Sequence, residues 1–230
     1  MPDYEIKRWS TENFDIHSVR LTEEAFNARK WAFAADYIRV YALYTEGGIY
    51  LDSDVMLYGD LSKLLDSDFV SAVEYHPTMS DKITNKERLN SDFERISKEL
   101  KVLGTGIQAA VLASVPGHPL MKRCKDFYET LTLDRLLANR YTAPTVIGYN
   151  SEIYGFRYVD REQRLKENIH LYPTTIISNF DQKNKKSLAV HWCAGSWGNR
   201  TAMGRLKHWL NTFYVYRKIR DTLKSCFVKG

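Results

Sequence analysis

Gly47-Gly48-Ile49-Tyr50-Leu51-Asp52-Ser53-Asp54 is the stretch on which the fold reading turns. Two glycines supply the left-handed backbone that stops a helix. The apolar residues after them read as a short strand over 49–51, and that strand runs directly into two carboxylates. In open α/β sheets ligands bind beyond the carboxyl ends of strands, which is where Asp52 and Asp54 fall. Residues two apart on an extended chain point to the same side, so both carboxylates can serve one ligand or one ion. A hard divalent cation held by one or two carboxylates plus phosphate oxygens is the usual arrangement of a diphosphate site. An isolated Asp-x-Asp triplet is most often a solvated loop; the strand and the helix in front of this one give it weight.

That helix is expected over Trp31–Thr45, with Asp36 and Arg39 its only charged residues. A helix apolar nearly all round is a buried helix. Residues three apart share a face, so Asp36 and Arg39 can touch. Two readings stand side by side. One is a buried ion pair, whose desolvation cost makes it a poor stabiliser beside an apolar pair. The other is a carboxylate and a guanidinium presented to a polar ligand at one end of a sheet.

Working outward, residues 4–9 read as a strand, and Thr22 as the cap of a helix carrying Glu23 and Glu24 in its first turn. Downstream, Phe69–Tyr75 reads as a strand. Residues 76–101 turn polar and charged and look like an inserted excursion with one amphipathic helix. Residues 104–114 resume as core, and Val115-Pro116-Gly117-His118-Pro119 is a turn entering a helix. Late strands are expected over 176–180 and 188–191. Strands alternating with helices argue for an α/β fold.

The 230 residues are enough to bury a sizeable core, and 44% hydrophobic against 27% charged residues excludes a disordered or fibrous chain. There is no basic-then-apolar signal pattern and no uninterrupted apolar stretch of membrane-spanning length. Cys124, Cys193 and Cys226 are odd in number and widely spaced, which suits neither a disulfide framework nor a zinc site. A cytoplasmic location follows as the expectation. The net charge of +5 is concentrated near the C-terminus. A basic helix is expected over 203–224, where Trp209, Phe213, Tyr214 and Tyr216 interleave with Arg205, Lys207, Arg217, Lys218, Arg220 and Lys224. Such a helix is either solvated with its aromatic face packed, or lies on the inner membrane surface near a lipid-linked acceptor. Nucleic-acid binding is the weaker reading, because no recognised module accompanies the charge.

The run over 30–54, K-W-A-F-A-A-D-Y-I-R-V-Y-A-L-Y-T-E-G-G-I-Y-L-D-S-D, resembles the signature of glycosyltransferase family 32, the D-x-D sugar-binding-region enzymes. The likeness extends from Pro2-Asp3-Tyr4-Glu5 through Pro116-Gly117-His118-Pro119 to His191-Trp192-Cys193-Ala194-Gly195-Ser196-Trp197. It implies a GT-A-like α/β fold, a mixed central sheet flanked by helices, with a catalytic domain over 1–202 and the basic helix in 203–230. It also implies a retaining transferase that moves a hexosyl group from a UDP- or GDP-sugar to a saccharide or lipid-linked saccharide, with Mn²⁺ or Mg²⁺.

By the same resemblance Asp54 would ligate the metal, while Asp52 would contact the donor's ribose or sugar and help the metal site. Asp36 and Arg39 would hold the transferred sugar, completing a catalytic set with Asp52 and Asp54. Ser196 and Trp197 would hydrogen-bond the diphosphate. His191 is either a further metal-site residue or a strand-end histidine bonded to backbone. Gln108 would lie on the acceptor side, and with no carboxylate nucleophile identified, attack from the front face is the favoured route to retention. Family members usually begin with a strand reading I-P-K-I-I-H, so this chain is expected to lack the usual first strand and to leave strand edges unpaired. A degenerate binding module that kept the fold is the alternative. A metal-dependent phosphohydrolase is disfavoured by the lack of a second ligand cluster.

Overall fold

The computed structural model describes residues 4–80, 85 and 87–193. The chain divides into two compact units, Met1–Cys193 and Ala194–Gly230, and the described residues belong to the first. Ser196, Trp197 and the expected helix over 203–224 lie outside them.

Helices α1 (Arg20–Asn27) and α2 (Trp31–Thr45) lead into strand β1 (Gly48–Leu51), and β2 (Val55–Leu57) follows at once. After a 3₁₀ turn at Leu61–Leu64 come β3 (Phe69–Tyr75) and the one-turn helix α3 (Pro77–Ser80). Strands β4 (Thr105–Ile107) and β5 (Val111–Ser114) precede three helices, α4 (Pro119–Glu129), α5 (Leu133–Ala138) and α6 (Ala143–Ser151). Strands β6 (Gln163–Leu165), β7 (Ile169–Tyr172), β8 (Ile177–Asn179) and β9 (Ala189–His191) complete the described unit. The main sheet runs β1-β5-β3-β7-β6, with β4 also on β3, and a smaller sheet runs β2-β9-β8. Both are mixed: β3 is parallel to β7 but antiparallel to β4 and β5, and β9 is parallel to β8 but antiparallel to β2.

β3 explains the layering. Alternate side chains of a strand face opposite sides. Phe69 and Val73 join the core formed with Tyr37, Leu43, Leu120 and Tyr128 of α2 and α4. Val70 and Ala72 join a second cluster with Leu61, Leu64 and Ile177. A strand covered on both faces needs an unbroken apolar run, which is what residues 69–73 supply apart from Ser71. The Ser71 hydroxyl is satisfied by donating to the Gln108 and Val111 carbonyls. Leu43→Ala, at a fully packed α2 position, would cost about 2–5 kcal/mol.

α2 ends as its sequence dictates. Gly47 sits at φ +71, and a Cβ there would lie 2.7 Å from Pro116 Cδ and 2.9 Å from Ser114 O. Any other residue would strain the backbone and collide with the turn before α4, so this glycine fixes where β1 starts.

Two local expectations are corrected. Residues 4–9 join no ladder, and Ile6 is 92% exposed. The segment is held instead by Lys7 on Glu46 at 2.6 Å and by Trp9 edge-on to Tyr41 at 5.9 Å. Alternation favours a strand only where a neighbour offers its hydrogen bonds. Thr22 is not a cap: Val19 is, and the buried Thr22 hydroxyl donates to the Ile16 and Val19 carbonyls. The described residues of the excursion over 76–101 include α3 and an isolated bridge between Leu89 and Arg95, and the expected amphipathic helix falls partly outside the described residues. No helix among them is long and apolar enough to cross a membrane.

Candidate metal and donor site

β1 carries Tyr50 and Asp52 to the same side, and the chain then turns sharply, Val55 N–H donating to Asp52 O at 3.1 Å. The turn is short because β2 begins at Val55 and pairs with β9, Val55 opposite His191. That register carries His191 to Asp54, and Trp192 N–H donates to the Asp54 carbonyl at 3.0 Å. His191 Nε2 lies 3.3 Å from Asp54 Oδ1. Donor atoms of Asp52, Asp54 and His191 all fall within 4.8 Å of one another, each residue half-buried. Two carboxylates and an imidazole at that spacing fit a divalent cation, the carboxylates favouring a hard ion and the imidazole extending the set to a borderline one.

Burial works to lower the His191 pKa, but Asp54 and Cys193 on its two nitrogens outweigh it and lift the value to about 10. The acidic neighbours thus favour positive charge on the His191 ring.

Asp36 and Arg39 do meet, Arg39 Nη2 lying 2.8 Å from Asp36 Oδ1. Arg39 goes further. Its Nη1 donates to the Ala109 carbonyl at 2.7 Å and lies 3.4 Å from Asp52 Oδ1, and its guanidinium stacks 4.8 Å over the Tyr50 ring. Only 7% of the Arg39 side chain is exposed, against 13% for Asp36 and 23% for Asp52, so Arg39 is the buried link between helix and loop. Burial pushes Asp36 up to about 6 despite the neighbouring guanidinium. Burial opposes the charge on Arg39, and Asp36, Tyr50 and Asp52 overcome that and hold it protonated.

Tyr50 is a site residue that the sequence reading passed over. Its hydroxyl donates to Asp52 Oδ1 at 2.6 Å, and burial holds its pKa above the ordinary range, so it stays a donor. The signal was its position two before Asp52 on one strand. Gln108 is not open to an acceptor. It is 2% exposed, its Oε1 accepts from Ala110 N–H at 3.0 Å and its Nε2 donates to Asn179 Oδ1 at 3.1 Å. Buried between β4 and β5, it is part of the scaffold. Cys193, set aside on spacing, lies beside His191 with Sγ 3.5 Å from Nδ1.

The fold and site define an α/β protein with a mixed sheet, flanked by helices, in a GT-A-like manner, whose Asp-Ser-Asp loop can hold a cation. Residues 1–71 match the family described as glycosyltransferase sugar-binding region containing DXD motif, and Asp36, Arg39, Asp52 and Asp54 all lie inside the matched span. No curated protein and no solved structure matches the chain. The match points to a glycosyltransferase-like function for the part of the chain that bears the site.

Proposed function

We propose that this chain is a metal-dependent, retaining glycosyltransferase that moves a hexosyl group from a UDP- or GDP-sugar to a saccharide or lipid-linked saccharide. The observation that carries the reading is the convergence of Asp52, Asp54 and His191 from the β1–β2 loop and β9, their donor atoms within 4.8 Å of one another. It gains direction from the sugar-binding-region match over the same loop.

Sugar transfer expels a nucleoside diphosphate, and the barrier reflects negative charge growing on its leaving oxygen. A bound Mn²⁺ or Mg²⁺ supplies positive charge against that oxygen. The protein's share is positional. Asp54 and His191 present one carboxylate and one imidazole donor from opposite sides of a two-strand register. Asp52 is oriented by the Tyr50 hydroxyl and by Arg39, so it enters the site without needing to reorganise. Asp36 and the rim of Arg39 are the groups we assign to the sugar's hydroxyls. With Gln108 buried in the scaffold, front-face attack, the leaving phosphate taking the acceptor proton, is the route we favour.

Incubating the protein with a panel of nucleotide sugars and Mn²⁺, with mass spectrometry of released nucleoside diphosphate, tests the proposal. Release that needs both Mn²⁺ and Asp54 supports it. Donor binding without release would instead favour a binding module, and no binding of any donor would overturn both.

A further inference from the structure

With Gln108 buried in the scaffold, the acceptor side of the site needs other residues, and the strand directions say where to look. β5 is antiparallel to β1 and β3 is antiparallel to β5, so β1 and β3 run the same way and end at the same edge of the sheet. The chain over 108–110 lies between those two ends. Ala110 O accepts from the Asp52 N–H at 2.9 Å, and the Gln108 N–H donates to Ala72 O at 2.8 Å. Neighbouring strands are about 4.8 Å apart, so the end of β3 stands about 10 Å from that of β1. That offset leaves room for a second sugar beside the one at the metal.

Two polar side chains stand at the end of β3. His76 Nε2 lies 3.3 Å from Glu74 Oε1, with 15% of the glutamate and 36% of the histidine side chain exposed. Val73 joins the core under α2 and α4, so Glu74 belongs to the opposite face, the one that Val70 and Ala72 turn toward Ile177 and Ala189 of the smaller sheet. The β8–β9 loop is tied to the same end: Gln182 Nε2 donates to Tyr75 O at 2.7 Å, and the Phe180 N–H donates to His191 O at 2.9 Å. Asp181 and His191 both lie within electrostatic reach of His76. Glu74 and Asp181 leave this end of β3 negative whether or not the His76 ring holds a proton, two carboxylates against one imidazole.

We propose that Glu74 and His76 form the acceptor subsite, holding the hydroxyls of an uncharged sugar next to the metal site. A partly open ion pair adds little to stability. A carboxylate with two oxygens can accept from two hydroxyls, and such charge-assisted bonds are stronger than neutral ones. The same negative charge repels an acidic or phosphorylated sugar, which makes Glu74 specificity-determining. The inference rests on the transferase reading above.

The test uses the full chain, Mn²⁺ and the nucleotide sugar it consumes, with methyl glycosides of glucose, galactose and mannose as acceptors and methyl glucuronide as the acidic counterpart. Glu74→Gln is expected to raise KM for the preferred glycoside by about tenfold, with KM for the donor within about twofold of wild type. It should also narrow the preference for glycoside over glucuronide. His76→Ala should raise the same acceptor constant. An unchanged acceptor KM in Glu74→Gln, or donor and acceptor constants rising together as a loosened fold would make them, overturns the proposal. Because a variant can fail to fold, the imidazole spectrum of the wild type gives an independent reading. With Mg²⁺ and UDP or GDP bound, a glycoside should shift the His76 ring resonances saturably, and methyl glucuronide should not. No such shift with any of the glycosides overturns the proposal. Failure of the transferase reading has its own signature: wild type would consume no donor, and the acceptor assignment would fall with it. Donor consumption with an unmoved His76 ring sinks the assignment alone.

Discussion

Arg39 Nη1 lies 3.4 Å from Asp52 Oδ1 while Nη2 of the same guanidinium lies 2.8 Å from Asp36 Oδ1, so one buried side chain ties α2 to the loop that carries the Asp-Ser-Asp triplet. A lysine offers one point charge and cannot span two carboxylates and the Ala109 carbonyl. Arg39→Lys is therefore expected to lower kcat/KM for donor turnover by at least about tenfold, since Asp52 loses its orientation. Arg39→Ala should also destabilise by about 3–5 kcal/mol, because Asp36 is left buried without its partner. Steady-state kinetics and chemical denaturation separate the two effects. Wild-type turnover in a destabilised Arg39→Lys protein would show that the link is structural alone.

Asp36 gives a signed pH dependence. Burial raises it from 3.8 to about 6 in the folded protein, so between those values the native state holds a proton that the unfolded chain has released. Its contribution to stability is full below 3.8 and is lost as pH rises towards 6, with a slope of about 1.4 kcal/mol per pH unit. Above that window the contribution is flat. Denaturant titrations of wild type and Asp36→Asn should therefore differ most in slope inside it. Parallel curves would remove Asp36 as the titrating group.

The features legible in the sequence were local ones. The stop at Gly47-Gly48, the strand into Asp52 and the i,i+3 pairing of Asp36 with Arg39 depend on backbone conformation and helical spacing within a few residues. The partnership of Asp54 with His191 depends on β2 and β9 finding one register from distant parts of the chain, and no local pattern encodes that. Residues 104–114 were legible as core, and β4 is buried at every residue, but the resemblance drew Gln108 to the acceptor side although it lies within that core segment. The β6–β7 hairpin went unread because it turns through Glu167 and Asn168, both left-handed, and only the asparagine favours that conformation. Residues 4–9 show the reverse error: they read as a strand, but join no ladder among the described residues.

The excursion over 76–101 should depend on one arginine. Arg95 pairs with both Glu152 oxygens, at 2.5 and 2.9 Å, donates to the Lys98 and Leu100 carbonyls, and stacks 3.8 Å over the Tyr149 ring. With 6% of the Arg95 side chain exposed, Arg95→Ala would take the donor from those carbonyls and the charged partner from Glu152, which would keep the Tyr158 hydroxyl. A loss of about 3–5 kcal/mol is expected, together with faster proteolysis within 76–101. Limited proteolysis with mass mapping checks the location. Unchanged cleavage would mean that Asn85, bonded to both the Leu103 carbonyl and its N–H, anchors the segment instead.

Metal binding should displace a proton. His191, lifted to about 10, is protonated at neutral pH and shares that proton with Asp54 at 3.3 Å. A divalent ion taking Nε2 must expel it, so Mn²⁺ affinity should rise about tenfold per pH unit through the neutral range and level off near 10. Calorimetry of Mn²⁺ binding in buffers of different ionisation enthalpy counts the protons directly, and close to one per ion is expected at pH 7. Replacing His191 by Gln leaves a neutral side chain with no proton to expel. Its Mn²⁺ binding should be weaker than that of wild type and should lose this part of the pH dependence. Asp54→Asn acts on the same step from the other side: it removes the carboxylate that raises the histidine, so the residual dependence should shift to lower pH. Proton release near zero in the wild type, with Mn²⁺ bound tightly, would mean that the ion sits on the carboxylates alone and that His191 is a strand-end residue paired to Asp54.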